Sequence, residues 1–168
     1  NNLWEFVYKM QKDMDNMTEE IDEMISEMEE MQERINELEN MTSCRLVPYS
    51  NCAGADFNNT NLSGMDLTGI NFQNALLTEA NLTHADFRYA DLTDANLNYA
   101  DLTDANLNYA DLTNTNLYGA DLEGANLRSA NLAGADLIYA GLADANLRYA
   151  DLRGTYLAST DLEGADLR

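Results

Sequence analysis

The chain has 168 residues, with 30 acidic and 9 basic side chains and a net charge of -21 at pH 7. That length suits one ordinary domain, or one domain with an extension. The charge balance excludes the usual electrostatic grip on nucleic acid, whose phosphates attract Lys and Arg, and the lack of a run of about 18 apolar residues excludes a membrane-spanning helix.

Composition changes near Met41. Before it the chain has no Gly and is dense in Glu, Asp and Met; after it Gly, Asn, Ala, Leu and Thr dominate. The first segment, 3–42, reads as a helix. Leu3, Met10, Met17, Met24, Met31 and Leu38 take one core position of a heptad, and Val7, Met14, Ile21, Met28 and Ile35 take the other. Steps of four and three alternate without a break, and that pattern predicts a left-handed coiled coil. A helix packed on its own domain would instead drift toward a 3.6 period. About 40 residues make a rod of about 60 Å, which can bury a seam with acidic flanks only against partners. The expected partner is the chain itself, as a homo-oligomer. The Met-rich seam is soft and specifies strand number poorly; Ile25 beside it, with Trp4 and Phe6 near its start, widens the stripe and favours three strands over two. Arg34 and Glu39 are spaced for an interchain ion pair in a parallel arrangement. The other flanks are mostly acidic, so the coil is expected to weaken at low salt.

Residues 43–54 read as a junction and first-coil cap. They hold Cys44 and Cys52, on either side of Pro48, the one proline. The pair is either two free thiols or a local disulfide, and the latter would imply an oxidising compartment. With no nearby His it makes a poor metal site.

From 55 to 168 the period is five. Phe57, Leu62, Leu67, Phe72, Leu77, Leu82 and Phe87 open a series that runs to Leu167. A small or short residue stands two places before each, and Asp or Asn one place before nearly all. Ten residues, DLTDANLNYA, occur twice in succession from Asp91 to Ala110. Neither a helix nor a strand has a period of five. A fixed short period marks a solenoid whose units bury their faces by stacking on one another.

Units such as ADLTD, ANLNY, ADLEG and ANLRS resemble the A-(D/N)-L-x-x motif of pentapeptide-repeat proteins. The resemblance covers Ala55 to Arg168 and extends back toward Ser50-Asn51-Cys52. It implies a right-handed, four-sided β-solenoid with four units per coil. The Leu or Phe and the small residue point inward, and the two residues after the Leu or Phe point out. Nearly six coils follow, about 28 Å at about 4.8 Å each. The fold class expected overall is this β-helix preceded by an α-helical coiled coil. The residues fit such a tube on their own terms: Leu with Ala alternates large and small inward groups, and Asp or Asn can hydrogen-bond backbone at tight corners. Leu76, Gly141 and Tyr156 depart from the Asp/Asn position and suggest local irregularity or contact surfaces.

With four units per coil, residues twenty apart share a side. One side then collects Arg88, Arg128, Arg148 and Arg168, with Asn108 in the gap and Tyr89, Tyr109 and Tyr149 alongside. It reads either as solvated side chains relieving repulsion from Asp66, Asp86 and Asp166, or as a docking strip for an acidic partner. An adjacent side carries Asp104, Glu123, Asp144 and Glu163. The side opposite the arginines carries Tyr99, Tyr118, Ile138 and Tyr139, an aromatic strip suited to lateral protein contact.

Nothing in the pattern supports an enzyme. His84, the one histidine, sits at an outward position with no motif around it. No phosphate-binding glycine loop occurs, and no cofactor is expected. Stacked pairs such as Asp91 with Asp111 and Asp101 with Asp121 would interest calcium, but these aspartates belong to the motif, so no metal is expected either. Asn16, Asn40, Asn58, Asn61 and Asn81 each begin an N-x-S/T sequence. With the cysteine pair and the acidity, they favour an extracellular or cell-surface protein over a cytoplasmic one.

Three function classes fit. The first is a structural or interaction protein: a coiled coil gathers rigid solenoids into a spacer, a surface-layer component or a filament subunit. An uncovered edge at Asp161–Arg168 would invite end-to-end stacking. The second, implied by the resemblance, is a mimic of duplex DNA that acts on a type II topoisomerase. The third is a module whose Tyr strips bind a glycan or peptide.

Overall fold

In a computed structural model the chain is described from residue 2 to residue 168, apart from the side chains at 13, 19, 20, 23 and 33–43. The expected seam residues Ile35 and Leu38, the pair Arg34 and Glu39, and Asn40 lie outside the described side chains. The backbone forms two compact units, Asn1–Met41 and Thr42–Arg168.

The first unit is one helix, α1 (Asn2–Ser43), of 42 residues. It contains neither Gly nor Pro and is rich in Met and Glu, which lose little side-chain freedom in a helix. Glu5 in the first turn suits the helix dipole. Gln11 Nε2 donates to Asp15 Oδ1 (2.9 Å), a pair four residues apart on one face. The described seam side chains are exposed, from Val7, Met10 and Ile21 at 49% to Leu3 at 74%.

The second unit is a stack of coils. Twenty isolated parallel bridges run from Asn51↔Asn71 to Asn146↔Asp166, and every one joins residues twenty apart. Bridges recur every five residues, so each coil has four bridged sides. One unit shows how the backbone is satisfied. The Leu92 N–H donates to the Asp111 carbonyl (2.7 Å) and the Asp94 N–H to that of Thr113 (3.0 Å), one coil ahead. The Asp91 N–H donates to the Ile70 carbonyl (2.9 Å), one coil behind. At the corner, the Ala95 N–H donates to the Leu92 carbonyl (3.0 Å). Asp94, third in that turn, has a positive φ of 57°, as type II turns require. The same sign recurs at every fifth residue from Tyr49 to Gly164.

The motif's Asp or Asn closes each corner. Asp91 Oδ1 accepts the Thr93 N–H (3.0 Å), and the same bond to the residue two ahead recurs around the coils, as at Asn131 to Ala133 and Asp161 to Glu163. The departures Leu76, Gly141 and Tyr156 still bridge their neighbours, so the stack continues through them. At Leu76 the missing acceptor is replaced from the preceding coil, where Asn58 Oδ1 accepts the Thr78 N–H (2.8 Å).

Inside the tube, Leu67 to Leu142 and the alanines between them are essentially inaccessible. Burying each Leu is worth about 2 kcal/mol. Phe57, Phe72 and Phe87 spiral through the first coils, with ring centroids 5.4 and 6.2 Å apart. Cys52 occupies the first inward position at 2% exposure and is joined by a disulfide to Cys44. Cys44 and Leu46 pack against the core there.

Candidate functional site

What distinguishes one part of the solenoid from another lies in its outward side chains, which the twenty-residue register sorts into columns. On the arginine side, Tyr89 and Tyr109 lie parallel, 5.3 Å apart with 2° between planes. Stacking arises because consecutive coils project the same position in the same direction at a fixed rise. Ser129 leaves a gap in the ring column, and the Arg128 and Arg148 guanidinium carbons lie 5.6 and 5.7 Å from the Tyr149 ring centre, within cation–π range.

The arginines of this column are largely neutralised by the side they stand on. Arg88 pairs with Asp86 (2.7 Å) and Arg168 with Asp166 (2.7 Å), while Arg148 Nε lies 3.9 Å from Asp166. The Arg168 side-chain hydrogen bond is the main cause that holds the Asp166 carboxyl at about 2. In the same way Asp86 pushes the Arg88 guanidinium further up. Arg128 has no carboxylate within ion-pair distance among the described residues.

The opposite side is different in kind. Tyr118 stands edge-on between Tyr99 and Tyr139, at 5.6 and 5.4 Å with interplanar angles of 83° and 77°. Its hydroxyl pKa is pushed up, first by desolvation and then by the neighbouring Tyr99 and Tyr139. The Tyr99 ring lies against the backbone at Gly119, where an added Cβ would fall 2.6 Å from it. Ile138 is half-buried beside this cluster. The adjacent acidic side presents Asp104, Asp144 and Glu163 as exposed carboxylates. His84 belongs to it, with Nδ1 3.7 Å from Asp104. The stacked aspartates point their Oδ1 atoms at backbone N–H groups. Among the described residues no group of three or more His, Cys, Asp or Glu is arranged to hold a metal ion.

The family model for pentapeptide repeats matches eight copies, over residues 48–74, 75–114, 105–138 and 135–168. The chain belongs to the pentapeptide-repeat family. A pentapeptide repeat protein from the cyanobacterium Cyanothece is 31% identical, with 81% of this chain and 95% of that one covered and a TM-score of 0.54. HetL, a pentapeptide repeat protein from the cyanobacterium Nostoc involved in heterocyst differentiation regulation, is 30% identical over 72% of each chain, with a TM-score of 0.29. QnrB1, a plasmid-mediated fluoroquinolone resistance protein, is 21% identical, with 71% of this chain and 70% of that one covered and a TM-score of 0.37. A comparison with curated proteins finds no match. The four bridged sides are those of the right-handed quadrilateral β-helix that pentapeptide-repeat proteins form.

Two residues of this pentapeptide-repeat solenoid join columns that the sequence reading left without them. Tyr49, in the junction, donates its N–H to the Thr68 carbonyl (2.8 Å), and its ring lies over Gly69, in register with Tyr89 and Tyr109. Tyr156, 61% exposed, bridges Asp136 and so stands on the tyrosine side. Both were within reach: Tyr49 is forty residues before Tyr89, and Tyr156 replaces the motif's Asp/Asn one coil after Asp136.

Proposed function

We propose that the chain is a non-enzymatic structural and interaction protein in which a coiled coil gathers copies and each carries a rigid pentapeptide-repeat solenoid. The assembly would serve as a spacer, a surface-layer component or a filament subunit. The observation that carries this reading is the helix: Met10, Met14, Met17, Ile21 and Met24 keep a 3.5 period along one stripe and are each about half exposed. Each would gain about 1–2 kcal/mol from burial against the same stripe of another copy. The solenoid supplies stiffness, because every coil is bonded to the next on four sides. The Cys44–Cys52 disulfide supports an oxidising, extracellular or cell-surface setting. The test is the mass in solution by light scattering, for the natural chain and for Ile21→Asp with Met24→Asp. A fixed dimer or trimer that dissociates in the double variant supports the reading. A strict monomer across a concentration series removes it.

The acidic side supports a second reading, as a duplex mimic. Asp101, Asp104, Asp121, Glu123, Asp144, Asp161 and Glu163 place seven carboxylates along four successive coils, about 19 Å of height. Duplex DNA is denser, at about one charge per 1.7 Å, and the arginine column breaks the likeness on the neighbouring side. A topoisomerase supercoiling assay with no effect at micromolar protein would remove this reading.

A further inference from the structure

We infer that the tyrosine side of the solenoid is a contact between copies of this chain, a secondary interface formed once the helices have gathered them; the inference therefore rests on the coiled-coil assembly proposed above. Charge selects this side. From Asn96 to Ser159 it carries one charge, Asp136, whereas over the same height the arginine side carries two, Arg128 and Arg148, the acidic side five, and the fourth side three, Asp111, Asp151 and Arg153. Two copies at -21 each repel, and they approach at least cost where the fewest charges must be desolvated.

The motif is also broken here in one direction. Only two apolar side chains replace the Asp or Asn that closes each corner, Leu76 and Tyr156, and both stand on this side. Tyr156 gives up the backbone bond its Asp or Asn would accept, and the ring stays 61% exposed. Tyr99 and Tyr139 hold left-handed backbone, φ 55° and 60°, which opposes a bulky residue by about 1–2 kcal/mol. Edge contacts with Tyr118 offset part of that, about 1 kcal/mol each. Yet Tyr99 and Tyr139 remain 57% and 60% exposed. Rings that are strained and mostly uncovered recover their cost when a partner covers them.

The area says which partner. The strip from Tyr99 to Tyr156 is about 15 Å tall and about 10 Å wide, on the order of 150–200 Å² per copy. A free complex of two proteins needs about 800 Å² from each. So small a patch holds only when the copies are already tethered, at effective concentrations near millimolar. A second solenoid on the same coiled coil meets that condition, and an untethered partner does not.

The test uses the whole chain with one added cysteine, beside the internal disulfide. Ala158→Cys lies on the tyrosine side and Ala143→Cys on the acidic side. Mild oxidation is expected to cross-link Ala158→Cys between copies about tenfold more than Ala143→Cys. Adding Tyr139→Asp is expected to abolish the difference while the light-scattering mass stays oligomeric; Asp already occupies that backbone geometry at 104 and 144, so folding is preserved. Equal cross-linking of both cysteines, or no response to Tyr139→Asp, in a chain of oligomeric mass overturns the inference and leaves the coiled coil standing. Selective cross-linking in a chain of monomeric mass would remove the coiled coil and also overturn the inference, because a contact would then form without the tether that its small area requires. A monomer that does not cross-link overturns both.

Discussion

At the residue scale, the solenoid imposes one requirement that side-chain polarity does not reveal. The second outward residue of every unit takes a positive φ, at Gly in eight units and at other residues in sixteen. Glycine is free of strain there, so replacing it should cost a predictable amount that depends on the column above and below. At Gly64 an added Cβ meets nothing within 4 Å, and Gly64→Ala should destabilise by about 1 kcal/mol from the left-handed backbone alone. At Gly119 the Cβ would fall 2.6 Å from the Tyr99 ring. Gly119→Ala should therefore cost more, as the ring moves and its contact with Tyr118 loosens. Urea unfolding of both variants checks the order. A second residue-scale case is Thr115, the one buried polar side chain among the described residues. It stands where most units have Ala, and its hydroxyl donates to the Leu92 carbonyl of the preceding coil (2.8 Å). Thr115→Val keeps the shape and removes the donor, and should cost about 1 kcal/mol in the same measurement.

At the element scale, the last described coil is held by local ion pairs that make it acid-sensitive. The Arg153 side-chain hydrogen bond is the main reason the Asp151 carboxyl sits at about 2, and Arg168 does the same for Asp166. The ordinary value is 3.8, so the unfolded chain takes up these protons first as pH falls. The stabilisation is complete above about pH 4 and is lost progressively toward pH 2. Carboxyl NMR titration of Arg153→Gln should show Asp151 moving up toward 3.8, while Asp166 stays low. An unmoved Asp151 would assign its shift to the backbone N–H of Arg153 instead. The legibility of these elements varied for physical reasons. The tube could be read because large and small inward residues must alternate at each rung, and Leu92 with Ala90 or Leu107 with Ala105 repeats that rule in sequence. The left-handed column was hidden because Tyr, Asp, Glu, Asn, Ser and His share it with Gly, and no side-chain property unites them. The neutralised arginines were visible only in part. The sequence places Asp86 two residues before Arg88, and that spacing becomes an ion pair only because the corner turns both side chains outward. The heptad of α1 was legible as a helix, and its exposed stripe is where the assembly has to be tested.

At the scale of the whole molecule, the repeated ten residues separate height from facing. Twenty residues complete a coil, so removing Asp91–Ala110 takes out one full turn. Every downstream side chain then keeps its side, and the tower loses about 4.8 Å. Removing only Asp101–Ala110 takes out half a turn. The inward pattern is unbroken, because unit follows unit as before, but every side chain after it moves to the opposite side. Arg128 and Arg148 would then stand below Tyr99, and Tyr118 and Tyr139 below Arg88 and Tyr89. Both deletions should fold, since in a solenoid each coil meets only its neighbours and stability falls roughly by what the lost rungs contribute. Circular dichroism and small-angle scattering check the folding and the shortened axis. Both deletions take Tyr99 out of line with Tyr118, the full-turn one by removing it and the half-turn one by turning it to the opposite side. Both leave Tyr118, Tyr139 and Tyr156 aligned with residue 158, so the two should cross-link at Ala158→Cys to the same extent. Loss of cross-linking in the half-turn variant alone would mean that the contact depends on how the tyrosine strip faces the coils before it, and not on the aligned tyrosines by themselves.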